Sequence, residues 1–116
     1  MSAYLLILRR DQSRELGLPM EEMFTRFKQF TESLHEKGIL RAFERLKPAS
    51  EGTTARQRDG SIAIAGPYDG AGEDVIGFYL IEAADAGAAQ AVAKECPILL
   101  AGGSVEIRET EFFPKQ

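Results

Sequence analysis

The stretch VIGFYLIEA, residues 75–83, decides the fold of this chain, because a continuous apolar run of strand length is typical of a strand covered on both faces. Residues 3–9 form a second run of the same kind. We expect both segments to lie in the middle of one sheet. The pair Asp59-Gly60 predicts a type I′ hairpin between two shorter strands. The remaining strands are predicted at 39–46, 53–58, 61–65 and 104–113.

Two helices are predicted between these strands. The first begins at Pro19, which suits the first helical position, and ends at Lys37 and Gly38. The second begins after Asp85, a natural N-cap, and is stopped by Pro97. The apolar side chains of the first helix recur at intervals of three and four residues and form one stripe: Met20, Met23, Phe24, Phe27, Phe30, Thr31 and Leu34.

This order of elements predicts an α+β fold, in which two helices lie on one face of a mainly antiparallel sheet, as in a ferredoxin-like plait. The 116 residues are expected to form a single domain, 1–116, without a linker or repeat. The second face of such a sheet cannot stay exposed to water. We therefore expect a homodimer in which the two sheets pack face to face.

Composition excludes several classes of function. The net charge is −4 and the pI is near 5.0, whereas a nucleic-acid-binding surface needs a basic face. The N-terminal apolar run, 4–8, is too short to span a bilayer and lacks the basic start and cleavage site of a signal peptide. A single cysteine, Cys96, excludes an internal disulfide and fits a reducing compartment. The predicted location is the cytoplasm, away from nucleic acid and membrane.

No metal site and no cofactor are predicted. His35 and Cys96 are the only residues of their kinds, so the chain has no ligand set for a structural zinc ion and nothing that orients His35 for a catalytic triad. We expect His35 at the surface and Cys96 in the core. The glycines of 66–77 lack the lysine and the following helix of a phosphate-binding loop.

The loop AGPYDGAGED, which precedes the central strand, carries the candidate catalytic residues. Asp69 and Glu73 belong to its acidic cluster, and neighbouring carboxylates can serve as general acid and general base. Solvated surface acids are the alternative. Tyr68 or Arg45 would orient an anionic substrate. Arg45 follows Phe43 in a predicted strand, where it either binds an anionic ligand or forms an ion pair within the protein or the dimer.

Stretches along nearly the whole chain match one known family: YLLIL, PMEEM, KGIL, ERLKP, TTARQRDG, the Gly-Pro of the loop, GFYLIEA, the Cys-Pro after the second helix and GSVEIR. In these stretches the chain resembles the YCII-related family, specifically its D-G-P-F branch. The resemblance implies a ferredoxin-like, dimeric α/β-barrel fold and a biochemical function that is largely unassigned. For some relatives it implies an enzymatic role that rests on a His-Asp pair.

The resemblance fails at the residues that carry the chemistry of the family. The family loop reads roughly T-D-G-P-F-x-E-T-K-E, whereas this chain lacks the acid before the Gly-Pro pair and the Glu and Lys behind it. The position of the family histidine corresponds to Phe27. A family glycine pair is replaced by Phe43 and Arg45, two bulky side chains that are expected to project into the cleft. The loop residues that match are Gly66, Pro67, Tyr68 and Glu73.

We therefore expect a small homodimeric module that binds a small anionic ligand or a protein partner without catalysis. Its cleft is expected between the sheet and the Gly-Pro loop. The predicted ligand-binding residues are Phe43, Arg45, Gly66, Pro67 and Tyr68. The alternative is a small-molecule enzyme that uses Asp69 or Glu73 for acid–base chemistry, with Tyr68 or Arg45 orienting the substrate. It requires these groups to converge on one concave pocket with at least one carboxylate partly buried.

Overall fold

A computed structural model describes residues 1–111 of the chain. That part has a mixed α+β fold whose elements, in chain order, are β1 (Ser2–Arg10), α1 (Met20–Glu36), β2 (Leu40–Arg45), β3 (Thr54–Arg58), β4 (Ser61–Ala65), β5 (Asp74–Ala83), α2 (Ala86–Ala93) and β6 (Ser104–Glu109). All the predicted helices and strands are confirmed. The last strand ends at Glu109, short of the end predicted at residue 113, and residues 112–113 of that prediction lie outside the described residues.

The main sheet contains four strands in the order β2-β5-β1-β6, and each neighbouring pair is antiparallel. The two inner strands are the two that consist of continuous apolar runs, as their sequences predict. This order is compatible with the predicted plait. β3 and β4 pair with each other in a separate hairpin, and the positive φ of both Asp59 and Gly60 confirms its type I′ turn.

The core lies between one face of the main sheet and the two helices. α1 contributes Phe30 and Leu34, and α2 contributes Ala89 and Ala93, whose small side chains allow the helix to approach the sheet closely. Cys96 is in the same core and only 2% exposed, and its burial raises the pKa of the thiol to about 11. The inner strands bury alternate residues against the helices: Tyr4, Leu6, Leu8, Tyr79, Ile81 and Ala83.

The ends of α2 show how local chemistry sets its length. The Asp85 carboxylate accepts a hydrogen bond of 2.8 Å from the backbone N–H of Ala88, which confirms the predicted N-cap. The helix ends at Ala93, earlier than the stop predicted at Pro97. A residue before proline is disfavoured in the helical region, and Cys96 accordingly has extended backbone angles.

Both ends of α1 lie within one residue of the prediction. Pro19, predicted at the first helical position, stands at the N-cap instead, and Lys37 stands at the C-cap. Gly38 follows with a φ of +73°, a left-handed conformation that glycine adopts without steric cost. This turn directs the chain into β2, the edge strand beside β5.

The other face of the main sheet, called the open face below, carries no helix within residues 1–111. Leu5 lies opposite Leu80 and Ile7 opposite Phe78, so four half-buried apolar side chains form a strip along the two inner strands. Two ion pairs lie beside this strip: Arg9 with Glu106, and Arg41 with Glu82. Residues 1–111 of one chain therefore leave this apolar strip and its charged border uncovered.

Candidate functional site

A cleft of about 940 Å³ lies between α1 and the part of the sheet formed by β2, β5 and β1. Most of its wall is apolar. The apolar lining residues are Leu8, Leu16, Met20, Met23, Phe24, Phe27, Leu40, Phe43, Leu46, Pro48, Ile76, Tyr79 and Ile98, together with Gly77. The ionisable and polar lining residues are Arg10, Gln12, Lys28, Thr31, Glu32, His35, Glu36, Glu44 and Arg45.

Tyr79 of β5 is the buried polar group of the cleft. Its ring packs edge-on against Phe30, with ring centroids 5.1 Å apart, and is stacked with Phe43 at 5.6 Å. The hydroxyl groups of Tyr79 and Thr31 lie 2.7 Å apart and share a hydrogen bond. Burial raises the pKa of the Tyr79 phenol above its ordinary value, so the group stays neutral at physiological pH. It serves as a hydrogen-bonding group rather than as a base.

Phe43 and Arg45 form the β2 side of the cleft. They are two residues apart in the strand, so their side chains project on the same side of the sheet. Phe43 is opposite Tyr79 in the sheet, and Arg45 is opposite Gly77. The guanidinium carbon of Arg45 lies 4.8 Å from the ring centroid of Phe24 on α1, a cation–π contact. Arg45 therefore links the strand to the helix across the cleft.

The guanidinium groups of Arg10 and Arg45 line the cleft, and neither has a carboxylate partner among residues 1–111. The ion pairs in that range involve other arginines, and Arg45 has only its contact with the Phe24 ring. Arg10 donates to the backbone carbonyl oxygens of Asp11, at 3.4 Å, and Arg14, at 3.2 Å. Both groups retain positive charge and spare N–H donors for an anion.

The apolar stripe predicted on α1 consists of two rows with different surroundings. Met23, Phe30 and Leu34 are buried, and of these Met23 also lines the cleft. Met20 and Phe24 are about half-exposed and line the cleft. Phe27 and Thr31 lie between the rows and are partly buried, also lining the cleft. The stripe is thus wider than the core requires, a signal in the sequence that could have indicated a cleft beside the helix.

The structure brings only two of the predicted ligand-binding residues, Phe43 and Arg45, to the cleft. Tyr68 is 66% exposed and lies beside Arg56, whose guanidinium carbon is 5.4 Å from its ring centroid. Neither Gly66 nor Pro67 lines the cleft, and both are exposed.

The two candidate catalytic carboxylates also lie away from the cleft. Among residues 1–111, they accept hydrogen bonds from different donors. Asp69 accepts a hydrogen bond of 2.9 Å from the backbone N–H of Ala71, within its own loop. Glu73 accepts one of 3.2 Å from the Ser104 hydroxyl at the start of β6. Neither residue is among those that line the cleft.

Several cleft residues were not singled out in the sequence. Gln12 lies in the polar connection after β1, and its side-chain oxygen accepts a 3.1 Å hydrogen bond from the backbone N–H of Ala49, in the 3₁₀ turn after β2. Arg10 ends β1 and lines the cleft. Nothing in a polar connection distinguishes such a contact. His35 is exposed, as predicted, yet it also lines the cleft, one turn of α1 beyond Thr31.

These elements define a class: a small α+β domain with helices on one face of an antiparallel sheet and a cleft between α1 and that sheet. The YCII-related domain model matches residues 3–113, and the chain belongs to the YCII-related family. The family predicted from the resemblance is therefore confirmed. No curated protein matches the chain.

Among residues 1–111, no helix is long and apolar enough to cross a membrane. Nor do three or more His, Cys, Asp or Glu side chains in that range come together in a group that would hold a metal ion.

Proposed function

We propose that the protein is a homodimeric binding protein of the D-G-P-F branch of this family, and that its cleft binds a small organic anion with an apolar body. The observation that carries the proposal is the meeting of an apolar wall with Arg10 and Arg45, which have no carboxylate partner among residues 1–111. A largely apolar cavity with a few polar groups is the usual form of a small-molecule site. A guanidinium group binds a carboxylate through two parallel hydrogen bonds.

We propose binding rather than catalysis because no histidine forms an ion pair with a carboxylate in the cleft among residues 1–111. Phe27 lines the cleft at the position that corresponds to the histidine of relatives, and its ring has no proton to transfer. Ala65 stands where the family loop has its acid. His35 has no carboxylate within ion-pairing distance in residues 1–111. The alternative enzyme, based on Asp69 and Glu73, has no support from this cleft, which neither residue lines.

The wall suggests how such a ligand is held. Phe43 and Phe24 both expose about half of their surface, and both line the cleft. An aliphatic or aromatic body packed on these rings removes apolar surface from water, worth roughly 25 cal/mol for each Å². Its carboxylate lies at Arg45, beside the Phe24 ring. The proposed ligand residues are therefore Phe24, Phe43 and Arg45.

A fluorescent probe and a matched pair of competitors test this function. Anilinonaphthalene sulfonate, an aromatic anion, is expected to bind in the cleft and fluoresce, and the chain has no tryptophan to interfere. Decanoate is expected to displace it, whereas decanol, which has the same chain and no charge, is expected to displace it at least tenfold less well. Arg45→Gln should lower the affinity for decanoate by about tenfold to a hundredfold, because the ligand loses one charged hydrogen-bonding partner.

The control for that variant is Arg58→Gln, which removes the same charge from β3, outside the cleft. It should leave the affinity for decanoate unchanged. Equal displacement by decanol and decanoate, or equal effects of the two arginine substitutions, would contradict a specific anion site at Arg45.

We also propose that the open face packs against the open face of a second copy, which gives the dimeric α/β barrel. Soluble monomers rarely leave a contiguous apolar patch in water, and this face has such a strip with a border of ion pairs. Sedimentation equilibrium is expected to give twice the chain mass of 12.8 kDa at micromolar concentration. A mass of one chain throughout that range would contradict the dimer.

The free thiol of Cys96 supports the cytoplasm as the proposed location.

A further inference from the structure

The hairpin formed by β3 and β4, called the arm below, stands apart from the body of the protein. Its two strands pair with each other and not with the main sheet. All residues from 55 to 65 are exposed. The radius of gyration is 16.1 Å, whereas a compact chain of this length has about 13 Å. The excess is what a projecting segment produces.

The two faces of the arm differ in character. The register places Ile64 opposite Ala55 and Ile62 opposite Gln57, so both isoleucines lie on one face. Each isoleucine is 68% exposed, the largest exposed fraction of any isoleucine or leucine side chain in residues 1–111. Arg56 and Arg58 lie on the opposite face. The arm is therefore amphipathic, with an apolar face directed into water.

Such an arm needs a surface to pack against. A two-stranded hairpin alone is marginally stable in water, because it buries little apolar area to offset the ordering of its backbone. The type I′ turn at Asp59-Gly60 fixes its register but adds no burial. The apolar face with Ile62 and Ile64 gains stability only when it is covered.

Reach and area both favour a second copy as the cover. The chain enters the arm from β2 and leaves it toward β5, so the arm is attached at the edge of the main sheet. Its strands of five residues span about 17 Å, more than the roughly 10 Å between two stacked sheets. A stable interface takes about 800 Å² from each partner, far more than four half-buried side chains of the open face supply.

We propose that the arm of each protomer packs its Ile62 and Ile64 face against the second copy. This inference rests on the dimer of the proposed function and adds a second part to its interface. The arginine face of the arm remains in solvent. Two arms related by the twofold axis contribute four isoleucine side chains to each dimer.

The test is the double variant Ile62→Thr with Ile64→Thr, in which threonine retains the β-branched shape that suits a strand. The dissociation constant of the dimer, measured by sedimentation equilibrium, is expected to rise at least a hundredfold. The matched control is Ser61→Thr with Ala63→Thr, on the arginine face of the same strand. It should leave the dissociation constant within about threefold of the wild-type value.

Hydrogen exchange of the wild-type protein provides a second measurement. The amides of residues 54–65 are expected to be protected in the dimer and to lose protection on dilution to monomer. A dimer unaffected by the isoleucine variant, equal weakening by both variants, or arm exchange independent of concentration would each overturn the role of the arm and leave the sheet dimer standing. A monomeric wild-type protein would overturn both.

Discussion

The Leu6→Ala variant is expected to lose about 3 to 5 kcal/mol of its free energy of unfolding. Leu6 is 0% exposed at the centre of β1, and it lies opposite Tyr79 on one side and Ile107 on the other. The change removes the transfer free energy of the buried carbons and leaves a cavity. The cavity cannot collapse easily because β1 is hydrogen-bonded to a strand on each side. The whole free energy of unfolding of a domain of this size is only about 5 to 15 kcal/mol.

Urea unfolding followed by circular dichroism measures this loss. Leu100→Ala is the matched control, because it removes the same carbons from a side chain that is 57% exposed in the 3₁₀ turn before β6. Its expected loss is below about 1 kcal/mol. Similar losses in the two variants would show that Leu6 is not at the centre of the core.

The sequence predicted the elements of this fold because their signals are local. The continuous apolar runs of 3–9 and 75–83 mark strands covered on both faces, and these are the inner strands of the sheet. Asp85 and Asp59-Gly60 act through hydrogen bonds and φ angles within a few residues. Such features need no knowledge of the rest of the chain.

The separation of the arm from the main sheet was not predicted, because strand pairing is not a local property. The segments 53–58 and 61–65 have the alternation and turn of any hairpin. Their pattern specifies only that they pair with each other. In the structure, β2 pairs directly with β5, although the arm lies between these two strands in the chain. The loop after β4 is attached to the arm, which is why its Asp69 and Tyr68 lie away from the cleft.

The position of the cleft was not predicted, for a similar reason: the sequence placed a cleft between the sheet and the Gly-Pro loop, whereas the cleft in the structure lies beside α1. Phe43 and Arg45 were expected to project into a cleft, and both line the one beside α1. The sequence did not distinguish the residues of α1 that line the cleft from those in the core. Met20 and Phe24 have the same chemistry and spacing as the buried Met23 and Phe30. Only the direction of α1 across the sheet decides which row is covered.

The Gly77→Ala variant is expected to lose about 2 to 3 kcal/mol of its free energy of unfolding and at least about tenfold in affinity for decanoate. A Cβ atom at Gly77 would lie 2.8 Å from the backbone carbonyl oxygen of Glu44 and 3.6 Å from the Cα atom of Arg45. The first distance is too short for a carbon–oxygen contact, and its partner is backbone, so β2 has to move away from β5. Phe43 and Arg45 move with it.

Gly66→Ala is the control, because no atom lies within 4 Å of a Cβ at that position and its φ is not in the left-handed region. Its stability is expected to stay within about 1 kcal/mol of the wild-type value. Urea unfolding gives the stability of both variants, and displacement of anilinonaphthalene sulfonate gives their affinity for decanoate. A Gly77→Ala protein with lowered stability but wild-type affinity would contradict our assignment of the ligand to the β2 side of the cleft. If both quantities fall, the glycine of the central strand sets the distance between Arg45 and the helix, and one backbone contact controls both the sheet and the site.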